Sequence, residues 1–387
     1  MINIDIFATS DIHGEEGYYN SLSLIREKYP FSIIVDNGDY FIGSIRSTYF
    51  NNEFIFNDKK NLLIEYANDS FDVMNLGNHD VDYGIDILKK YTKNLKMPYL
   101  CANILDENNN AVFKPYKIIE NQGVKIGFLG IVTSNLSQLT DFDNLRNFKV
   151  LTSFEALDLY LNEVKEKSDL VIVLYHGGFE KDPTTGNVTQ YDTKEDEGYK
   201  IMENYSNIDG LILGHQHRDS CGNFKNTGLV FVQPNCRAIS IGHLSFQVEK
   251  SSKTIKEASA SLINLDAKYN VKEDENFNLW LNKSITMDYF EDYLKENFIF
   301  DCIFIKGQVK SIKDLMSIFK KPYMLSTYYM KKEELKDMLL DVTEDKKHYL
   351  LISNDINLPY YRIKERHINN IIDGYIHYLY KNKLINF

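Results

Sequence analysis

Two histidines, at residues 215 and 217, form the most informative short motif of the sequence. An apolar run, residues 211–213, leads through Gly214 directly to His215-Gln216-His217. Because side chains alternate in direction along an extended segment, both imidazoles can point the same way from the end of a strand. Imidazole is a common ligand for transition metals, so the motif predicts a metal site at a strand terminus.

Four further clusters repeat this arrangement. Each follows a hydrophobic run and places Asp, Asn or His beside a glycine. The clusters are Asp11-Ile12-His13-Gly14, Gly38-Asp39, Gly77-Asn78-His79-Asp80 and His176-Gly177. Open α/β sheets collect ligands at the carboxyl ends of their strands, so we expect all five clusters to converge there.

The chemistry of these side chains favours a transition-metal centre. A single His-x-His or Asp-x-His pair is more often structural, but five clusters in order at strand ends indicate ligands. The mixed Asp, Asn and His set suits Mn, Zn, Fe or Co better than an all-oxygen Mg or Ca cage, and the sequence leaves those four unresolved. A two-metal hydrolase needs a carboxylate that can bridge both ions and separate ligands for each, and this set contains both.

His79 has a different predicted role from its neighbours. It follows a candidate ligand, Asn78, and is free to act as a general acid or as a hydrogen-bond donor to the transition state. Asp82, three residues on, could orient the ring and fix its tautomer. The alternative is a structural histidine in the core whose hydrogen-bonding need Asp82 satisfies. The place of His79 between a candidate ligand and a glycine-bounded turn favours catalysis.

The elements that must position these residues alternate along the first 250 residues. Amphipathic patterns predict helices at residues 18–29, 62–68, 85–94 and 154–167, and a buried strand at 124–132. Such alternation predicts sheets covered by helices. Residues 180–197, rich in Asp, Thr, Gly and Glu, predict a long loop that could be a lid. Its acids Glu195, Asp196 and Glu197 are expected to form a solvated face.

The composition changes after residue 250. We expect a catalytic domain over residues 1–250, a linker or bridging segment over 251–279 and a small domain over 280–387. Within the last part, helices are predicted at residues 311–319, 332–341 and 369–380. No ligand cluster occurs in this part of the sequence.

Composition narrows the class of protein and of partner. The chain has 387 residues, 43% hydrophobic and 26% charged, with a net charge of -11. This charge argues against nucleic-acid polymers and membrane surfaces, but bound dications would still admit an anionic substrate. The first strand begins at Ile2, which leaves no signal-peptide pattern, and no apolar run is long enough to span a bilayer. A cytoplasmic protein is therefore expected, unless a leader was removed.

In their order along the chain and in their residue types, the clusters resemble the motifs of the calcineurin-like metallophosphoesterases, and more closely those of their 5'-nucleotidase branch. The matching pieces are Asp11-x-His13, Gly38-Asp39-x-x-x-Gly43, residues 77–84 (Gly-Asn-His-Asp-Val-Asp-Tyr-Gly), His176 and Gly214-His215-x-His217. Residues 101–104 (Cys-Ala-Asn-Ile) and 113–116 (Phe-Lys-Pro-Tyr) also resemble that branch. The resemblance covers residues 1 to about 250. It implies an α/β fold, a metallophosphoesterase-type β-sandwich flanked by helices, with a small α+β C-terminal domain.

The resemblance also implies a role for each candidate residue. Asp11, His13 and His217 are expected to bind one divalent metal ion. The expected ligands of the other ion are Asn78, His176 and His215, and Asp39 is expected to bridge the pair. His79 and Asp82 are expected to form a catalytic dyad. In that family a metal-bound water or hydroxide attacks phosphorus in line, and the metals and the histidine share the developing charge.

The C-terminal part resembles the family's nucleotide-recognition domain only in the order of its elements. The Asn-Gly-Gly-x-Arg substrate stretch is absent, and Phe-Asp-Cys-Ile-Phe-Ile-Lys stands at residues 300–306 instead. The base-stacking aromatic residues cannot be assigned from the sequence. Those available are Phe319, Tyr323, Tyr328, Tyr329, Tyr360 and Tyr361.

Three functions are compatible with these observations. The leading hypothesis is a dimetal phosphohydrolase that cleaves phosphomonoesters or cyclic phosphodiesters of nucleotides. A second keeps the metal centre but changes the substrate to a non-nucleotide phosphoester or a sulfur ester. A third is a partner-binding or scaffold protein that retains a metal site for structure, although His79 and Asp82 argue against it. The sequence does not indicate the oligomeric state.

Overall fold

The chain divides into two compact units. The structure is a computed structural model that describes all residues except 141, 266–273, 286, 299, 301, 306–308, 319–325, 339, 341–348, 354–362, 367–370 and 385–387. The larger unit comprises Met1–Ser47 and Asn61–Val271, and the smaller comprises Thr48–Lys60 and Lys272–Phe387.

Two six-stranded sheets form the framework of the larger unit. The first sheet contains β1 (Ile2–Thr9), β2 (Ile33–Asp36), β3 (Val73–Asn75), β4 (Tyr99–Leu100), β13 (Ser240–Val248) and β14 (Ile255–Asn264), in the order β14-β13-β1-β2-β3-β4. The second contains β6 (Tyr116–Asn121), β7 (Val124–Val132), β9 (Leu170–His176), β10 (Gly210–Leu213), β11 (Ser220–Asn223) and β12 (Val230–Gln233), in the order β11-β12-β10-β9-β7-β6. Strands β5 (Ile104–Leu105) and β8 (Lys149–Val150) form a separate antiparallel pair.

Helices lie before and after the parallel strands. Those up to residue 204 are α1 (Tyr19–Lys28), α2 (Ile45–Asn57), α3 (Leu62–Ser70), α4 (Ile85–Lys93), α5 (Leu136–Leu139), α6 (Ser153–Lys167) and α7 (Gly198–Asn204). The four predicted helices correspond to α1, α3, α4 and α6, with ends within two residues, and the strand predicted at 124–132 is β7. Helix α6 begins with a capping box in which Thr152 and Glu155 satisfy each other's backbone amides.

Apolar side chains fill both faces of the second sheet. One buried cluster joins residues of both sheets, including Ile6 and Val35 from the first and Phe128 and Ile172 from the second. A second cluster joins the other face of the second sheet to α6 and α7. Burial of each such side chain contributes roughly 1.5–3 kcal/mol to folding. The larger unit is therefore the expected β-sandwich flanked by helices.

Two buried asparagines join the carboxyl ends of the two sheets. Asn75 at the end of β3 donates from Nδ2 to Asn37 Oδ1 at 3.1 Å and to the Leu174 carbonyl of β9 at 3.2 Å. Asn37 donates in turn to the Tyr175 carbonyl at 3.0 Å. Because buried polar groups require partners, these bonds fix how the strand ends face each other, which is where the candidate ligands lie.

The predicted linker over residues 251–279 differs from the structure. It contains β14, which pairs antiparallel with β13 as the edge strand of the first sheet. An edge strand covered on one side tolerates polar residues, so its Lys- and Ser-rich composition resembled a linker. The segment also contains the start of α8 (Glu275–Leu281).

The smaller unit is an α+β arrangement. Its sheet has the order β15-β17-β16-β18, with β15 (Cys302–Phe304), β16 (Ser326–Met330), β17 (Tyr349–Ser353) and β18 (Ile363–Arg366). Its helices after α8 are α9 (Met287–Asn297), α10 (Ile312–Ile318), α11 (Lys332–Asp337) and α12 (Ile371–Lys381). The last three correspond to the predicted helices, with α11 shorter than expected. No helix in the described parts of the chain is both long and apolar enough to cross a membrane.

Helix α2 supplies part of the core of the smaller unit. Its Tyr49 ring lies 5.4 Å from the ring of Trp280, and its Phe56 ring stacks on Tyr380 at 5.6 Å between centroids. Trp280 is 1% exposed. The sequence prediction placed residues 48–60 in the first domain by their position in the chain, whereas their aromatic contacts assign them to the smaller unit.

Candidate metal centre

Asp11, His13 and His217 form the first group of candidate ligands. One ligand atom from each lies within 4.8 Å of the others. The two Nε2 atoms of the histidines are 2.9 Å apart, and Asp11 Oδ1 is 3.3 Å from His217 Nε2. His13 donates from Nδ1 to the Ile42 carbonyl at 2.9 Å, so a neutral ring presents the lone pair of Nε2 to the group.

Asp39, His176 and His215 form the second group, again within 4.8 Å. Asp39 Oδ2 is 3.2 Å from His176 Nε2. Asn78 joins them, because its Oδ1 lies 3.1 Å from His176 Nε2 and 2.8 Å from His215 Nδ1. His176 donates from Nδ1 to the Asn37 carbonyl at 2.7 Å, which again turns Nε2 toward the group.

These contacts fit a bound cation. When His176 and His215 are neutral and donate from their outer nitrogens, their inner nitrogens carry lone pairs that face the Asn78 oxygen. Three lone-pair atoms within hydrogen-bond distance repel one another unless a positive charge lies among them. The nitrogen-and-oxygen donor set matches that of transition-metal sites. Both groups thus have the donors and the inward orientation that two divalent ions require.

The pKa values of two histidines reflect both burial and the charge of Asp39. Burial lowers the pKa of His176, but the charges of Asp39 and Asp11 outweigh it and raise that pKa to about 9. Burial dominates at His13, whose pKa falls to about 4 despite Asp39 and Asp11. Asp39 therefore acts electrostatically on a histidine of each group, as a bridging carboxylate would.

The backbone at most of these ligands is left-handed. The φ angles are positive at Asp11 (55°), His13 (53°), Asp39 (55°), His215 (71°) and His217 (53°). Non-glycine residues rarely adopt this conformation, and it costs on the order of 1–3 kcal/mol each. Concentration of such residues at one place is typical of functional sites. Residue types alone did not indicate it.

Glycines allow the loops to approach closely. A Cβ on Gly77 would lie 2.1 Å from the backbone nitrogen of Asp39, so only glycine lets these two loops meet. A Cβ on Gly214 would lie 2.0 Å from Ser10 Oγ, beside Asp11. The glycine next to each ligand in the sequence motifs therefore has a steric reason.

His79 lies beside both groups without belonging to either. Its Nδ1 is 2.8 Å from Asp82 Oδ2, and its side chain is 34% exposed. Its ring centroid is 5.6 Å from that of His13, and its backbone amide donates to Asp39 Oδ1 at 2.7 Å. Burial lowers its pKa, but the charges of Asp82 and Asp39 outweigh it and raise that pKa to about 10. The ring is thus held by Asp82 and reachable by a substrate.

The expectation that Glu195, Asp196 and Glu197 form a solvated loop face is wrong. Asp196 and Glu197 are each 5% exposed. Glu195 Oε1 accepts a hydrogen bond from His215 Nε2 at 2.8 Å. Residues 180–197 do form a long loop, as predicted. The contact with His215 gave no signal in the sequence, because the spacing of acids in a loop has no fixed period.

Two of the six aromatic candidates predicted for base stacking lie among the described residues of the smaller unit. Tyr328 is 5% exposed and packs in the core of its sheet, so it cannot stack on a base. Tyr329 is 46% exposed and stays a candidate. The other candidates, Phe319, Tyr323, Tyr360 and Tyr361, lie outside the described residues.

Comparison with known proteins decides the family. The family model described as calcineurin-like phosphoesterase matches residues 4–219, more than half of the chain. The chain belongs to the calcineurin-like phosphoesterase family. The resemblance deduced from the five clusters is thereby confirmed, as is the α/β fold class.

Curated relatives match the first part of the chain. It is 27% identical over 246 residues to a 2',3'-cyclic-nucleotide 2'-phosphodiesterase/3'-nucleotidase of Salmonella typhimurium, which covers 56% of this chain and 37% of that protein. It is 26% identical over 211 residues to an NAD 5'-nucleotidase of Haemophilus influenzae, covering 54% of this chain and 31% of that protein. The chain therefore matches about a third of the length of these relatives.

Solved structures share the fold over the whole chain. A putative 5'-nucleotidase from Staphylococcus aureus, in complex with alpha-ketoglutarate, superposes with a TM-score of 0.71 at 21% identity and covers 100% of this chain and 98% of that one. The NAD nucleotidase of Haemophilus influenzae gives a TM-score of 0.62 at 14% identity, with coverage of 98% and 96%. At these identities the likeness shows the fold alone.

Proposed function

We propose that the protein hydrolyses phosphomonoesters or cyclic phosphodiesters of nucleotides at a dinuclear centre of Mn, Zn, Fe or Co. The observation that carries this proposal is the convergence of two ligand groups beside the His79–Asp82 pair. The names of the nucleotide-hydrolysing relatives support the substrate class. The net charge of -11 supports a small-molecule substrate over a nucleic-acid polymer.

Each residue of the centre has a proposed task. Asp11, His13 and His217 would hold one ion, Asn78, His176 and His215 would hold the other, and Asp39 would be available to both. Bound there, two divalent ions would lower the pKa of a coordinated water and neutralise charge on the phosphoryl oxygens. The remaining work falls to His79. Asp82 stabilises its charged ring, which donates a hydrogen bond or a proton to the oxygen on which charge develops.

Substrate discrimination among nucleotides is proposed to be weak. The Asn-Gly-Gly-x-Arg stretch is absent from the sequence, and Tyr328 is buried away from any base. Strong discrimination depends on polar partners that only the right substrate satisfies. We therefore expect kcat/KM to vary little among nucleoside monophosphates, and non-nucleotide phosphoesters to compete well.

The test is reconstitution of the metal-free protein with Mn²⁺ or Zn²⁺, followed by elemental analysis and a substrate panel. The panel contains p-nitrophenyl phosphate, the common nucleoside monophosphates and 2',3'-cyclic nucleotides. We expect about two ions per chain and hydrolysis of several substrates. Asp39→Asn should lower metal content and activity together, whereas the exposed Asp143→Asn should change neither.

Two results would contradict the proposal. Absence of metal after careful reconstitution would exclude the dinuclear centre. Two bound ions without hydrolysis of any phosphoester would favour a sulfur-ester substrate or a scaffold protein instead. A preference of more than about a thousand-fold for one nucleotide would overturn only the proposed weak discrimination.

A further inference from the structure

His215 is held in a different way from the two buried histidines of the centre. The outer nitrogens of His13 and His176 donate to backbone carbonyls, those of Ile42 and Asn37. The outer nitrogen of His215 donates instead to a side-chain carboxylate, Glu195 Oε1, at 2.8 Å. The orientation of this one ring therefore depends on a side chain from a loop that precedes it by 20 residues.

The geometry assigns Glu195 a place behind the ring. The two nitrogens of an imidazole lie on different edges, and His215 presents Nδ1 to Asn78 Oδ1 at 2.8 Å. Glu195 contacts the other nitrogen, Nε2, so it is not aimed at the space shared with Asn78. A carboxylate in that position fixes the hydrogen on Nε2 and leaves the lone pair on Nδ1.

The backbone around Glu195 is anchored by hydrogen bonds to β9, to the residue after β7 and to the start of α6. Its carbonyl accepts hydrogen bonds from Thr133 Oγ1 at 2.7 Å and from Tyr175 Oη at 3.2 Å. The next carboxylate but one, Glu197, accepts from Ser153 Oγ at 2.9 Å, and its backbone amide donates to the Tyr175 hydroxyl at 3.1 Å. Tyr175 lies in β9 directly before the candidate ligand His176.

The intervening residue ties the loop to the histidine motif itself. Asp196 is buried and accepts hydrogen bonds from the backbone amide of Gly178 and from Gln216 Nε2, the latter at 2.9 Å. Gln216 stands between His215 and His217 in the sequence. Glu195 is thus followed by two buried carboxylates with fixed partners, which is the construction expected of a side chain that must hold a set position.

We propose that Glu195 is a positioning residue that sets the ring of His215 for metal binding, and so makes the 180–197 loop part of the second ligand group. The inference rests on the proposed dinuclear centre. Beyond that centre, it makes the affinity of the second ligand group for its ion depend on a loop carboxylate that is not itself a ligand. The affinity of the first group does not depend on this carboxylate. In the first ligand group, His13 donates to a backbone carbonyl instead of a carboxylate, so this group serves as the internal reference.

The test uses the full chain and three variants, Glu195→Ala, Glu195→Gln and the control Asp192→Asn. Asp192 is an exposed carboxylate of the same loop that pairs with Lys200 instead of a histidine. Metal-free protein is titrated with Mn²⁺ or Zn²⁺ by calorimetry, and the Co²⁺-loaded forms are compared by visible absorption. Thermal unfolding of the metal-free proteins reports on the fold.

We expect Glu195→Ala to weaken one of the two metal sites by about 10–100-fold and to leave the other unchanged. Glu195→Gln keeps an acceptor oxygen, so its loss should be smaller, and Asp192→Asn should bind like wild type. The Co²⁺ spectrum of the alanine variant should change at one site only. The metal-free unfolding temperatures should agree among all four proteins.

Three results would overturn the inference. Two ions bound by Glu195→Ala as tightly as by wild type would show that the contact has no consequence. Equal weakening of both sites, or a lower unfolding temperature of the metal-free variant, would show a general structural role. A wild-type protein that binds no metal would overturn the proposed function as well as this inference. The first two results would overturn only the role of Glu195, so the two kinds of failure can be told apart.

Discussion

Asp80 accepts a hydrogen bond from the backbone amide of Asp39 at 3.0 Å and so joins two loops that carry candidate ligands. The same carboxylate accepts from the amides of Tyr40 at 3.0 Å and Gly77 at 2.9 Å, and from the hydroxyl of Tyr99 at 2.9 Å. It is 1% exposed. A single buried carboxylate thus satisfies several backbone donors that would otherwise have no partner, and it shapes the left-handed turn at Asp39.

Asp80→Ala should therefore destabilise the larger unit strongly. Each buried donor left without a partner costs about 1–3 kcal/mol, so the total loss should be roughly 3–5 kcal/mol. Denaturant unfolding of the metal-free protein measures it. The exposed Asp143→Ala is the control and should cost less than about 1 kcal/mol. A loss as small for Asp80→Ala as for the control would show that water replaces the carboxylate.

His79→Ala should keep both metal ions and slow turnover by about 100-fold or more. The reason is that the ring lies beside the ligand groups without belonging to either, and a lost acid or charge-stabilising donor has this size of effect. Steady-state kinetics and elemental analysis of the same samples provide the measurement. Asp82→Asn, which keeps the shape of the 2.8 Å contact but removes its charge, should slow turnover less. Full metal occupancy with unchanged turnover would make His79 structural.

How much could be predicted depended on whether a residue's role is local in sequence. The strand-end clusters were visible because each ligand follows its own apolar run, and the structure brings them together at one edge. Glu195 and the anchoring role of Asp80 were not visible, because each acts on a residue far away in the chain. The left-handed backbone at Asp11 arises from tertiary packing, which overrides what an aspartate prefers by itself.

The same distinction explains the errors at the domain boundaries. Strand β14 was missed because an edge strand needs few apolar residues. Residues 48–60 were assigned by chain position, since an aromatic helix face does not reveal which core it enters. The interior of the larger unit was predicted better because parallel strands buried on both faces have continuous apolar runs.

The acid stability of the larger unit should depend on Asp5. Its Oδ1 accepts a hydrogen bond from His243 Nε2 at 2.8 Å, between β1 and β13. This bond lowers the pKa of Asp5 below the ordinary value, against the opposing effect of burial. A lowered pKa contributes stability above the unfolded-state value of about 3.9, and the contribution is lost as pH falls through the folded-state pKa.

Asp5→Asn should consequently be less stable than wild type at pH 6, by on the order of 1 kcal/mol. The difference in stability should shrink as the pH is lowered below about 4, because protonation then makes the Asp5 side chain neutral, as asparagine always is. Unfolding midpoints measured from pH 3 to pH 7 check this, with Asp143→Asn as an exposed control that should show no such convergence. A difference that stays constant over this range would exclude the proposed linkage.

Removal of residues 272–387 should expose the aromatic face of α2, although every candidate ligand lies before residue 220. In the intact chain Glu53 is 3% exposed and accepts a hydrogen bond from Tyr380 Oη at 2.9 Å, and Tyr380 accepts one from Trp280 at 3.0 Å. Loss of these partners, and of the cover over Tyr49 and Phe56, leaves an apolar patch of the kind that causes association.

We therefore expect a fragment of residues 1–271 to aggregate. The same fragment with Tyr49→Ser and Phe56→Ser should stay soluble. It should also hydrolyse p-nitrophenyl phosphate at a rate within about tenfold of that of the intact protein. Light scattering and steady-state kinetics of both fragments and the full chain make the comparison. A soluble, monomeric and active fragment without the two substitutions would show that α2 does not need the smaller unit. A soluble double variant that binds two metal ions but has lost activity toward every phosphoester would show instead that residues 272–387 take part in catalysis, since the proposed ligands and the His79–Asp82 pair are all retained in it.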